Sequence, residues 1–246
     1  MKKVITSLAV VFFAVTSFAQ NLQLHYDFGK HMYDGLEARP NLTTTFELFR
    51  ADGLGSTYLF VDLDYSKKAV GAYTEISREF CFWPNTKMDW LSIHLEYNGG
   101  LVTGGSFNNA WLAGLTYSGH SKDFTKTWSL TASYKAIPGV LAANGNCDMH
   151  NFQITGVWGI TFAKGWCSFD GFIDVWRQHN QWLDSSMSTI HTSYVWVSEP
   201  QFWVNFNKIK GWEKVNLSLG TEVRLSYNFV GNRFYAIPTA AAKWSF

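Results

Sequence analysis

The chain has 246 residues, a formal net charge of +1, and slightly more aromatic side chains (17%) than charged ones (16%). Soluble domains carry about 25% charge, so this composition suits a protein whose exterior meets lipid. The neutral balance argues against a nucleic-acid partner, which would favour a basic face, and past residue 19 no apolar run is long enough for a spanning helix.

Met1-Lys2-Lys3 is a short basic segment, and Val4 to Val15 is apolar apart from Thr6 and Ser7. Ser17-Phe18-Ala19 then sets small residues at the two recognition positions of a leader peptidase. Residues 1–19 therefore read as a cleaved secretory signal peptide. No Cys follows it, which argues against a lipid anchor. Residues 20–246 are assigned to one domain, an outer-membrane β-barrel.

Beyond the leader the dominant period is two. Trp128, Leu130, Ala132 and Tyr134 alternate with Thr127, Ser129, Thr131, Ser133 and Lys135. Val215, Leu217, Leu219, Val223, Leu225 and Tyr227 alternate with Asn216, Ser218, Glu222, Arg224 and Ser226. Alternation of this kind turns one face of each strand to lipid and the other to a lumen. Twelve strands are expected, near 22–28, 42–50, 57–66, 69–81, 89–98, 109–118, 125–136, 150–162, 166–177, 192–206, 212–228 and 233–246. Most have the roughly 9–11 residues that a tilted strand needs to cross the hydrocarbon.

The fold class is an all-β, antiparallel up-and-down transmembrane barrel with both termini in the periplasm of a Gram-negative bacterium. Long outer loops are expected near 29–41, 99–108, 137–149 and 178–191. Compact inner turns are expected at Ala51–Gly55, Ala163-Lys164-Gly165 and Asn207–Gly211. The apolar Val140–Ala143 stretch of the third outer loop would let that loop fold into the lumen; a mobile external loop is the plainer expectation. The chain closes on Trp244-Ser245-Phe246. The two rings share one strand face and resemble the terminal signal read by the barrel-assembly machinery.

With apolar residues assigned to lipid, the lumen receives Tyr58, Phe60, Asp62 and Asp64 from the third strand. Tyr73, Glu75, His94 and Glu96 follow from the next two, and Asp170, Phe172, Asp174 and Trp176 from the ninth. Glu199, Trp203, Glu222 and Arg224 complete the expected pathway, with Asp27 and Glu47 in support. Lys135, Arg224 and Lys243 are the inward basic residues. Carboxylates in excess repel anions and admit cations or neutral polar solutes, and aromatic faces suit flat polar molecules. The plainer alternative is a closed structural or interaction barrel whose acids pair with Arg78, Arg177 or Arg224.

The run TTTFELFRADGLGSTYLFVDLDY from Thr43, followed by AYTEISREFCFW with its Glu75-Ile76-Ser77-Arg78-Glu79-Phe80 element, resembles the early strands of the nucleoside-specific channel-forming outer-membrane proteins, the Tsx-type family. That resemblance implies a narrow monomeric barrel, embedded in outer-membrane lipid, that binds nucleosides between aromatic and ionisable side chains, with no cofactor.

An enzyme is not expected. His94 is followed by Leu95-Glu96-Tyr97 and His120 by Ser121-Lys122-Asp123, so neither carries the His-x-Ser-Asn-Gly element of phospholipase barrels. His150, His179 and His191 with Asp148 and Asp184 form a loose outer constellation for a barrel hydrolase or a metal. Cys81, Cys147 and Cys167 match no metal spacing; one disulfide is compatible with them, though apolar filling is the simpler role.

Overall fold

A computed structural model describes residues 18–106, 109–142, 144–183 and 186–246. The leader expected at residues 1–19 lies outside these except for its last two residues, which begin the first strand. The strands are β1 (Phe18–Asp27), β2 (Leu42–Asp52), β3 (Gly55–Ser66), β4 (Lys68–Phe80), β5 (Leu91–Val102) and β6 (Ala110–His120). They continue as β7 (Lys126–Ala136), β8 (His150–Phe162), β9 (Cys167–Leu183), β10 in two pieces (Thr189–Ser198 and Gln201–Asn205), β11 (Leu217–Tyr227) and β12 (Phe234–Ser245). Each pairs antiparallel with its sequence neighbour, and β1 pairs β12 from Asn21↔Ser245 to Asp27↔Thr239, closing the barrel. Closure removes the open edges that hydrocarbon would leave unsatisfied.

The side chains are sorted in the reverse of a soluble protein. Leu22, Leu24, Leu95, Trp111, Leu115, Leu130, Phe152, Leu219 and Trp244 are exposed on the outside. Gln23, His25, Ser92, His94, Thr116, Thr131, Lys135, Gln153 and Ser226 are buried inside. This is the transmembrane barrel that alternation predicts, an apolar wall around a polar lumen.

Besides the early start of β1 at Phe18, four features depart from the expected boundaries. β5 runs on to Val102, and Gly105–Ser106 pairs back onto it, so much of the second outer loop is hairpin. β9 and β10 likewise continue past the expected limits, pairing Asn180↔Thr192 through Leu183↔Thr189. Residues 206–216 form a longer turn opened by a 3-10 segment at Phe206–Lys208, so β11 begins five residues after the 212 expected for it. β10 is broken at Glu199-Pro200, where Pro200 has no amide to donate. Around the break Ser198 Oγ donates to Phe172 O (2.7 Å) and Val223 N to Pro200 O (3.0 Å).

The turns at the terminal end are held locally. At Asp52–Gly55 the backbone of β3 passes so close to β4 that a Cβ on Gly55 (φ 138°) would lie 2.0 Å from Glu79 O. In the turn between β6 and β7, Asp123 accepts from Ser121 Oγ (2.6 Å), Thr125 Oγ1 (2.9 Å) and Thr125 N (3.2 Å). Those donors hold its carboxyl down at about 2.

At the opposite end, residues 29–32 form a short helix, and the segment 137–149 does not stand clear of the barrel. Ile137 and Val140 are 2% and 5% exposed and pack with Ala110, Leu112, Trp176, Val195 and Val197, with Phe172 against the cluster. A mobile external loop is therefore the wrong picture for its first residues. They supply apolar surface to a lumen wall that offers Leu112, Val195 and Val197 on inward positions. Arg177 Nη1 fastens the far side of the segment through Asp148 Oδ1 and Asn151 Oδ1, both at 2.8 Å.

Candidate solute pathway in the barrel lumen

The lumen holds a cavity of about 2000 Å³. Its lining runs from Asn21, Ser56 and Trp90 at the terminal end to Gln181, Trp182 and Phe229 at the other. Fifteen of the sixteen expected pathway residues line it: Tyr58, Phe60, Asp62, Asp64, Tyr73, Glu75, His94, Glu96, Asp170, Phe172, Asp174, Trp176, Glu199, Glu222 and Arg224.

Trp203 is the correction. It points inward but is fully buried, under Lys243 Nζ at 4.1 Å from its ring centre and beside the edge of His25 at 6.1 Å. It lies against Gly220, where a Cβ would fall 2.7 Å from Trp203 Cε3. The missing side chain on β11 gives the indole its seat in the wall, so it is packed rather than presented.

Among the described residues twelve carboxylates line the cavity against four Lys or Arg, namely Arg39, Lys135, Arg224 and Lys243. The remaining positive charge is directed elsewhere. Arg78 lies on the opposite face of β4 from Glu79 and pairs Asp52 (2.8 Å), and Arg177 pairs Asp148 in the outer segment. Arg224 pairs Glu199, so of the three arginines considered as partners for the lumen acids only this one takes that role.

The acids fall into hydrogen-bonded networks, most of them built on hydroxyl and amide donors with His94 between Glu79 and Glu96. Thr43 and Thr45 donate to Asp64 (2.6 Å) and Asp62 (2.5 Å). Glu47 accepts from Asn21 (2.8 Å) and Tyr58 (3.2 Å), and Glu75 from Tyr73 (2.7 Å). Glu79 gathers Ser92 (2.5 Å), His94 Nδ1 (2.6 Å) and Thr116 (3.0 Å), and His94 Nε2 reaches Glu96 at 3.2 Å. Asp174 accepts from Thr155 (2.5 Å) and Gln153 (3.2 Å).

Two groupings reach across the lumen. Lys135 feels Asp174, Glu75 and Glu96, and Arg224 feels Glu199, Glu222 and Asp62. Each base is outnumbered three to one. On the inward faces of β3 and β4, Tyr58, Phe60 and Tyr73 form a run of rings, with centres 6.1 and 5.9 Å apart.

The outer His and Asp constellation is dispersed. His179 stacks on His191 (Nε2 to Nδ1 3.1 Å), His150 meets the Tyr134 hydroxyl, and Asp148 is taken by Arg177. Asp184 lies outside the described residues. Among the described residues no group of His, Cys, Asp and Glu is placed to hold a metal ion, and Cys81, Cys147 and Cys167 are free. Inward polar residues absent from the expected pathway include His25, Thr116 and Gln153. Alternation marks their positions; only a charge-weighted selection passes over them.

A closed antiparallel barrel with an apolar outer wall around a charged lumen defines this protein as a transmembrane β-barrel. The chain belongs to the family described as Domain of unknown function (DUF5020), whose model matches residues 19–246. Among solved structures, the NanC porin superposes with a TM-score of 0.53 at 9% identity, over 92% of this chain and 98% of that one. LpxR from Salmonella typhimurium gives 0.46 at 8% identity, over 92% of this chain and 99% of that one. The outer membrane protein Omp33 of Acinetobacter baumannii gives 0.41 at 11% identity, over 94% and 98%. At such identities the likeness to NanC is one of fold. No match was found among curated proteins.

Proposed function

We propose that this barrel is a channel in the outer membrane of a Gram-negative bacterium, passing small neutral or cationic polar solutes by passive diffusion. The observation that carries this reading is the end-to-end cavity lined by twelve carboxylates against four Lys or Arg. Such a surplus raises the local concentration of cations and repels anions. Weak, repeated contacts suit passage, because a solute must leave as readily as it enters.

The run of Tyr58, Phe60 and Tyr73 beside Asp62 and Glu75 makes nucleoside-like molecules the leading solute class. Bases stack on such rings for about 1–3 kcal/mol each, and sugar hydroxyls donate to carboxylates. No covalent chemistry or cofactor is called for. The partners of this reading are membrane lipid, the solute, and the barrel-assembly machinery during biogenesis, with the chain acting as a monomer.

Planar-bilayer recording tests it. The purified barrel is expected to conduct, to prefer K⁺ over Cl⁻, and to be blocked by nucleosides more than by hexoses. Absence of both conductance and solute flux means a closed structural barrel, for which the packing of Ile137 and Val140 into the lumen would be the cause.

A further inference from the structure

Among the buried side-chain atoms without a hydrogen-bond partner, two acceptor oxygens are neighbours in the lumen wall. Glu96 and Asn98 sit two residues apart on the inward face of β5, and both line the cavity. Asn98 is 5% exposed and its Oδ1 has no hydrogen-bond partner. Glu96 Oε1 is also buried without one, while Oε2 meets His94 Nε2 at 3.2 Å. Asn98 lies directly opposite Glu75 in the β4–β5 register. The lysine facing this corner, Lys135, gives its ammonium to Gln153 Oε1 at 2.5 Å and stands over the Trp176 ring at 4.3 Å.

A buried acceptor left without a donor costs about 1–3 kcal/mol, and native proteins rarely leave one so unless water or a ligand completes it. Here one such oxygen belongs to the Glu96 carboxylate, and the other, on Asn98, lies opposite Glu75. A positively charged donor of several hydrogen bonds suits these acceptors, because the Lys135 ammonium is already given to Gln153 and His94 reaches only Glu96 Oε2. Ammonium has three N–H donors and guanidinium five, in a planar fork suited to carboxylates. A bare metal ion fits less well, since no described group of His, Cys, Asp and Glu is spaced to hold one.

We infer that Glu75, Glu96 and Asn98 form a lumen subsite for the alkylammonium or guanidinium group of a small organic cation. The subsite deepens the channel reading and rests on it for its physiological meaning. A solute with a flat polar ring and an amine could engage Tyr73 and the subsite together, because Tyr73 donates to Glu75.

The test is calorimetric titration of the detergent-solubilised barrel with arginine hydrochloride. Citrulline serves as the uncharged isostere, and ionic strength is matched with NaCl. Saturable arginine binding is expected, with none for citrulline. Glu96→Gln and Asn98→Leu should each weaken it about tenfold, the loss of one hydrogen bond to a charged group. Glu96→Gln is nearly isosteric, and Asn98→Ala replaces Asn98→Leu if the larger side chain prevents folding, as judged by gel mobility of unheated samples.

Unaltered affinity in the variants overturns the subsite. So does equal binding of citrulline, or loss of arginine binding when matched NaCl replaces a nonionic osmolyte, which would reveal only a diffuse cation atmosphere. Bilayer conductance separates the two claims. A barrel that binds arginine yet passes no current keeps the subsite and loses the channel; one that conducts without binding arginine does the reverse.

Discussion

Asp62 and Asp64 show how single residues set the character of the lumen. Each accepts a short bond from a threonine of β2, which fixes the position of the carboxyl group. Glu75 is held in the same way by Tyr73. A unit charge about 4 Å from a passing ion is worth about 1 kcal/mol even at the dielectric of water, roughly a fivefold change in partition. The triple variant Asp62→Asn, Asp64→Asn, Glu75→Gln is therefore expected to lower the K⁺/Cl⁻ permeability ratio at least about fivefold. Reversal potentials in a salt gradient measure this, and an unchanged ratio removes these three acids from the pathway.

At the scale of elements, the segment 137–149 pits two kinds of contact against each other. The Arg177–Asp148 pair is partly exposed, with side-chain exposures of 37% and 14%, and such pairs contribute about 0.2–1 kcal/mol. Burying Ile137 and Val140 contributes about 1.5–3 kcal/mol each. Packing wins, so Arg177→Ala should leave the segment docked. Ile137→Ser with Val140→Ser should release it, increasing single-channel conductance and speeding proteolysis near Gly145. Release by Arg177→Ala alone would show that the ion pair, and not the apolar cluster, holds the segment.

The same segment marks the limit of what the chain discloses. Period-two alternation fixed the faces of Tyr58 to Asp64 and of Asp170 to Trp176 because a strand allows two directions only. It gives direction without depth, which is why Trp203 reads as lumen-lining when Gly220 lets it sink into the wall. Ile137 and Val140 lie in a connection with no period, and their burial depends on Leu112, Trp176 and Val195 from distant strands. The outer end of β9 was hidden for a different reason. Beyond the bilayer Gln178, His179, Asn180 and Gln181 are polar on both faces, so alternation stops while hydrogen bonding to β10 continues. Orphaned oxygens such as Asn98 Oδ1 are a property of assembled walls and have no signature along the chain.

For the whole molecule, the closing seam separates folding from delivery. β12 pairs with both β11 and β1, and the register from Asn21↔Ser245 to Asp27↔Thr239 is complete without Phe246. Phe246 adds one backbone bond, from its amide to Gln20 O (3.0 Å), and a ring that is 69% exposed. Trp244 likewise shows its ring to the outside while its backbone sits between Leu22 and Leu217. Neither ring takes part in the register that closes the barrel, and we propose that they serve recognition before closure. Deleting Phe246, or changing Trp244 and Phe246 to Ser, is expected to leave barrel refolded in detergent with nearly wild-type heat resistance on unheated gels. The same variants should accumulate poorly in the outer membrane of cells, by an order of magnitude or about that if the terminal rings are the main docking anchors of the strand. Equal loss in detergent and in cells would instead make the rings part of the seam, and full membrane accumulation would deny them any part in assembly.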